Sequence, residues 1–156
     1  MNLLVTVGTT RFDRLVQRVA LDPFFRSHEC VLQVGPGGLH PEGFEVFEFT
    51  DRILAYYERA ELVITHGGAG SIYQILELRK PMIIVPNTDR ADQHQSDIAT
   101  FMHNNGYALS VFALEELSNA VRMASNMKFR TFERDAFFVG EDILSFIDFH
   151  QSQPLV

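Results

Sequence analysis

The chain has 156 residues, 46% of them hydrophobic and 21% charged, with a formal net charge of −7 and a pI near 5.3. That length fits one domain with a core that needs no staples. The acidic balance excludes a general nucleic-acid binder, which carries a basic face, and a polybasic membrane anchor.

Leu3 to Val7 is a β-rich run that ends at Gly8. The stretch from Met1 lacks a basic segment and a cleavage site, so it reads as a strand and not as a signal peptide. From Phe12 the apolar residues Phe12, Leu15, Val16 and Val19 recur at helical spacing, until Leu21-Asp22-Pro23 interrupts them. Glu29 to Val34 reads as the second strand and carries Cys30, the one cysteine, as a buried small hydrophobe; no intrachain disulfide can form. Gly35-Pro36-Gly37-Gly38 is a loop, and Phe44 to Phe49 is the third strand. Asp51 reads as the N-cap of a helix carrying Ile53, Leu54 and Tyr57. Leu62 to Thr65 is a fourth strand, whose continuous apolar character suits a central parallel strand covered on both faces.

Ile72, Ile75 and Leu76 form the next helical face, after Gly70. Pro81 opens and Pro86 closes the fifth strand, Met82 to Val85. Gln93 to Asn104 is expected to be a helix with Ile98, Phe101 and Met102 inward. Tyr107 to Val111 is the sixth strand, and Leu114, Leu117, Val121 and Ala124 mark another helix. A last helix is expected over residues 142–150. No apolar run approaches the ~20 residues needed to span a bilayer, and the default location is the cytoplasm. Strands alternating with helices predict βαβ crossovers: a single α/β domain over residues 1–156, Rossmann-like, with a doubly wound parallel sheet. Such folds bind ligands beyond the carboxyl ends of their strands.

Polar and glycine residues collect at those ends. Gly8-Thr9-Thr10 follows the first strand, His66-Gly67-Gly68-Ala69-Gly70-Ser71 the fourth, and Asn87 to Gln95 the fifth. Three glycines in four positions, opening a helix, suit a phosphate or diphosphate that meets backbone N–H groups and the positive helix end; Ser71 adds a hydroxyl. The alternative is a tight turn that needs glycine for packing alone. Thr9 and Thr10 touch the same phosphates, cap the first helix, or do both. The pattern is neither the G-x-G-x-x-G dinucleotide fingerprint nor a P-loop, which lowers NAD and ATP. His66 is a weak candidate general base; fixing the glycine loop or touching a phosphate suits it better. A metal site from His66 and His94 lacks ligand spacing, so neither a metal nor a cofactor is expected.

Three segments resemble one family. Val5-Thr6-Val7-Gly8-Thr9-Thr10-x-Phe12-Asp13-x-Leu15-Val16, then Thr65-His66-Gly67-Gly68-Ala69-Gly70-Ser71, then Asp92-x-His94-Gln95-x-Asp97-x-Ala99 are similar to the small donor-binding subunit of split family 28 glycosyltransferases. That group includes the eukaryotic subunit that helps add the second N-acetylglucosamine to a dolichol-linked oligosaccharide, and bacterial exopolysaccharide and capsule subunits. All resemble the C-terminal half of MurG, in the GT-B architecture. The resemblance spans about residues 3–110.

The resemblance implies roles. Phe49 and Thr50 would line a uracil pocket; Gly67, Gly68, Gly70 and Ser71, with Gly8, Thr9 and Thr10, would hold the diphosphate. His94 and Gln95 would reach the donor sugar's hydroxyls beside Asn87, and Asp92 would shape that loop. Gln74 stands where the family usually carries a glutamate for the ribose hydroxyls, and an amide carbonyl accepts such a bond without charge assistance. Gly67, often alanine in the family, is a minor departure.

The implied activity is inverting transfer of a hexose or N-acetylhexosamine from a UDP-sugar to a lipid-linked saccharide acceptor. A whole transferase of this fold uses two such domains, so the acceptor and the catalytic base would belong to a membrane-associated partner subunit, holding this chain at the cytosolic face. Phe129, Phe132, Phe137, Phe138, Phe146 and Phe149, with Ile143, Leu144 and Ile147, mark either an interaction surface or a helix packed back on the sheet. The alternative function is a nucleotide-sugar-binding regulatory module without transferase activity.

Overall fold

The computed structural model describes residues 1–88 and 94–133. Six strands form one parallel sheet: β1 (Asn2–Thr6), β2 (Glu29–Gln33), β3 (Glu45–Phe47), β4 (Leu62–His66), β5 (Met82–Val85) and β6 (Leu109–Ser110). Their order is β3-β2-β1-β4-β5-β6. The chain therefore winds outward from β1 to one edge, returns beside β1 at β4, and winds outward again. The switch point between β1 and β4 puts the loops that follow them on diverging paths and opens a crevice between them.

Residue alternation decides which helix covers which face. Leu3, Val5 and Val7 point to one side of the sheet, with Leu15, Val16 and Val19 of α1 (Asp13–Leu21), Phe25 of α2 (Pro23–Arg26) and Leu117 and Val121 of α6 (Leu117–Ala124). Leu4, Val63 and Ile84 point to the other side. There they meet Tyr57 of α3 (Ile53–Arg59), Ile72, Ile75 and Leu76 of α4 (Ala69–Glu77), and Ala99 and Met102 of α5 (His94–Asn104). Both faces are covered, which is why the central strands read as unbroken apolar runs.

Several local expectations change. The interruption at Asp22-Pro23 is a helix start: the Asp22 carboxylate accepts the Phe24 N–H at 3.0 Å and Pro23 takes the first helical position, where no N–H is needed. Asp51 does not cap α3; Arg52 is the capping residue and makes no side-chain cap bond, while the Thr50 hydroxyl accepts the Arg52 N–H at 3.0 Å. Leu54 and Phe101 face outward, 48% and 57% exposed, because each helix places its buried face elsewhere, on Tyr57 and on Ala99 and Met102. β3 stops at Phe47 and β6 keeps two residues, as edge strands pair on one side only. Among the aromatic residues near the C-terminus, Phe129 packs on the first core cluster and Phe132 lies between Tyr73 and Tyr107, 6.1 and 6.4 Å away. The helix expected over 142–150 and the remaining phenylalanines lie outside the described residues. Cys30 is buried, and that burial pushes its thiol up to about 12.

Candidate ligand site at the switch point

Beneath the loops lies a set of buried polar groups at the strand ends. Thr6 and Gln33 are register partners on β1 and β2, 0% and 5% exposed. The Thr6 hydroxyl donates to the Gln33 side-chain carbonyl and accepts the Gly8 N–H at 3.1 Å. Burying the Thr6 hydroxyl and the Gln33 carbonyl costs little because they pair with each other. The Gly8 bond holds the turn out of β1, where Gly8 adopts φ +65°, a left-handed conformation that favours glycine. On the same face of the sheet, the buried Tyr57 phenol meets the side chains of Ser71 and Thr6; burial raises its pKa and those two contacts oppose the rise. Thr6, Gln33 and Tyr57 are thus site-supporting residues that the motifs alone did not single out. Their signal was present as a threonine and a glutamine inside otherwise apolar strand runs.

The glycine loop combines both readings open to it. A Cβ on Gly68 would lie 2.2 Å from His66 Nε2, and one on Gly8 would lie 2.6 Å from His66 Cε1. The imidazole therefore sits between the loops after β1 and β4 and needs both glycines for its own packing. A Cβ on Gly67 would lie 2.5 Å from Gln95 Cβ and 2.8 Å from the Gln95 backbone. Alanine at 67 is consequently not a minor change in this chain, because α5 packs directly on the loop. Gly70 differs: among the described residues, nothing lies within 4 Å of the Cβ it lacks. It occupies the second position of α4, whose capping residue is Gly68 and whose first turn makes no side-chain cap bond. The N-terminus of this nine-residue helix thus borders open space at the one loop glycine that internal packing does not require.

The fifth-strand loop closes on the same place. Gln95 Oε1 accepts the Gly67 N–H at 3.2 Å and the Asn87 N–H at 2.9 Å. Asn87 is buried, and its Nδ2 donates to the Arg11 carbonyl at 3.4 Å, reaching the loop after β1. Gly8, His66, Gly67, Gly68, Asn87 and Gln95 are therefore brought into one assembly. Thr9 and Thr10 are exposed at its rim and do not cap α1, whose capping residue is Phe12 without a side-chain bond. Arg11 stands beside them, its guanidinium paired with and held charged by Asp13. Gln74 is exposed on α4, one turn beyond Gly70, and His94 is exposed at the start of α5. Phe49, 67% exposed, and Thr50 follow β3, two strands from β1. Asp92 lies outside the described residues.

Residues 2–137 match the glycosyltransferase family 28 C-terminal domain. The chain belongs to this family. Among similar proteins, the mouse (Mus musculus) UDP-N-acetylglucosamine transferase subunit ALG13 is 37% identical over 116 residues, 66% of this chain. The match spans only 10% of that relative's length. The Staphylococcus carnosus UDP-N-acetylglucosamine--N-acetylmuramyl-(pentapeptide) pyrophosphoryl-undecaprenol N-acetylglucosamine transferase is 27% identical over 153 residues, covering 89% of this chain and 42% of the enzyme. In fold, a solution structure of ALG13 superposes with a TM-score of 0.62 at 24% identity, over 92% of this chain and 94% of that one. The chain thus shares its parallel α/β fold with that solved structure. No helix among the described residues is long and apolar enough to cross a membrane.

Proposed function

We propose that this chain binds the UDP-sugar donor of a two-component inverting glycosyltransferase, and that a membrane-associated partner subunit supplies the lipid-linked saccharide acceptor and the catalytic base. The observation that carries the reading is the open space at Gly70, on the N-terminus of α4 at the β1–β4 switch point. A diphosphate there would meet unpaired helix N–H groups and the positive end of the dipole. Those groups are fixed before the reaction, so they would stabilise charge as it develops on the departing UDP. The Ser71 hydroxyl, at the third helical position, would add a bond. The Thr9 and Thr10 hydroxyls and Arg11 would face the ligand from across the crevice. His66, enclosed by Gly8 and Gly68, would hold the two loops together and not act as the base.

The family relatives with N-acetylglucosamine in their names make UDP-N-acetylglucosamine the first donor to test. Association with the cytosolic membrane face would come through the partner. Calorimetric titration of the chain with UDP, UDP-N-acetylglucosamine, ADP and NAD tests the reading: selective binding of the uridine nucleotides supports it, and tight ADP or NAD binding without UDP overturns it.

Gln74 favours one second reading, a nucleotide-sugar-binding regulatory module. Its amide gives a ribose hydroxyl a neutral acceptor where a carboxylate would give a charge-assisted one. UDP binding without transfer in the presence of every candidate partner would select that reading.

A further inference from the structure

Gln95 stands at the second position of α5, half-buried, with its side-chain carbonyl between two loops. The two groups that bond to it are both backbone N–H donors, Gly67 after β4 and Asn87 after β5. Two N–H donors require an oxygen, so the amide orientation is fixed by its surroundings, with the NH2 group turned away from both loops. Both lone pairs of the carbonyl are engaged, leaving none for a sugar hydroxyl. The backbone completes the joint: Gly67 lies so close that a Cβ there would stand 2.8 Å from the Gln95 carbonyl oxygen of the main chain. Asn87 extends the chain of contacts to the Arg11 carbonyl, on the loop after β1.

We propose that Gln95 is a positioning residue that fastens the loops after β4 and β5 into one surface, acting on a bound nucleotide through the Gly67 backbone. Its ligand role rests on the donor-binding reading above; the fastening itself does not. Any direct contact with a donor sugar is made by the NH2 group alone, so Gln95 recognises ligand acceptor atoms and never a hydroxyl hydrogen.

Two variants of the full chain separate these roles. Gln95→Met keeps the Cβ and the length of the side chain but removes the oxygen acceptor. Gln95→Glu restores an acceptor that both N–H groups can use. In the ligand-free protein, amide exchange followed by NMR is expected to quicken at least about tenfold at Gly67 and Asn87 in Gln95→Met, and to return toward wild type in Gln95→Glu. Titration with UDP, which carries no sugar, is expected to show affinity about tenfold weaker in Gln95→Met, the scale of one net hydrogen bond. Unchanged exchange at both amides would overturn the fastening. Fast exchange with wild-type UDP affinity would overturn its link to the site, as would loss of UDP-sugar affinity with UDP affinity intact, which marks a residue that only touches sugar. A wild-type chain that binds no UDP, yet whose amides respond to Gln95→Met, would overturn the ligand role and the donor-binding reading while leaving the fastening in place.

Discussion

Gly68→Ala isolates what the His66 ring requires. Gly68 has φ −78° and ψ 121°, a conformation open to any residue, so the substitution carries no backbone strain. Its effect is steric: the new Cβ would lie 2.2 Å from His66 Nε2 and 2.8 Å from Cε1. The ring cannot simply swing aside, because Gly8 bounds it on the other side, closely enough that a Cβ there would be 2.6 Å from Cε1. Either the imidazole or the whole loop must move, and overpacking of this kind costs about 1–3 kcal/mol. For a chain of this size that lowers the melting temperature by roughly 3–10 °C. Urea unfolding of Gly68→Ala should show a lower midpoint with an unchanged slope. In a His66→Ala background the ring is gone, and adding Gly68→Ala should cost only what alanine loses against glycine as the cap of α4, about 1 kcal/mol or less, a coupling that a double-mutant cycle reads directly. Wild-type stability in Gly68→Ala, or the same loss with and without His66, would refute the wedge.

Gly70→Ala should behave in the opposite way: with free space around its Cβ, it should leave stability equal or raise it by about 0.5–1 kcal/mol, as alanine favours helix, while UDP affinity falls more than about tenfold. Tyr57→Phe removes only the buried phenol oxygen that meets Ser71 and Thr6, and should cost about 0.5–1.5 kcal/mol in denaturant unfolding, with a smaller cost once Ser71 is alanine. Cys30 should resist alkylation in the native protein at pH 8 and react on unfolding, because burial holds its thiol protonated. Its raised pKa also sets a sign: between the ordinary value of 9.0 and about 12 the unfolded chain loses the proton first, so stability falls as pH rises through that window, measurable as an alkaline drop in melting temperature that Cys30→Ala lessens.

Much of the site was readable as chemistry but not as geometry. The three glycines after β4 are equal in the sequence; in the structure Gly67 accommodates Gln95, Gly68 accommodates His66, and Gly70 alone faces open space. Thr9 and Thr10 read equally well as helix caps, and that reading lapses because α1 begins at Asp13 after an uncapped Phe12. Gln95 belongs to a recognisable motif, yet nothing in the motif says that its carbonyl is engaged by Gly67 and Asn87. Tyr57 reads simply as an apolar-face residue, because its hydroxyl partners lie 14 positions away at Ser71 and 51 away at Thr6.

Apart from the short α2, the sequence by itself determined the order of the strands and main helices among the described residues, the parallel sheet and the family, because hydrophobic runs, helical spacing and turn residues are local and repeat along the chain. It also placed the polar residues at strand ends, since an apolar strand stops where polar and glycine residues begin. Only the tertiary structure decided what each of those residues does. The return of β4 beside β1 brings His66 to Gly8, and the pairing of β5 with β4 lets Gln95 reach Gly67. Those contacts span 58 and 28 positions of chain, a distance over which local pattern carries no information and packing alone selects the partner.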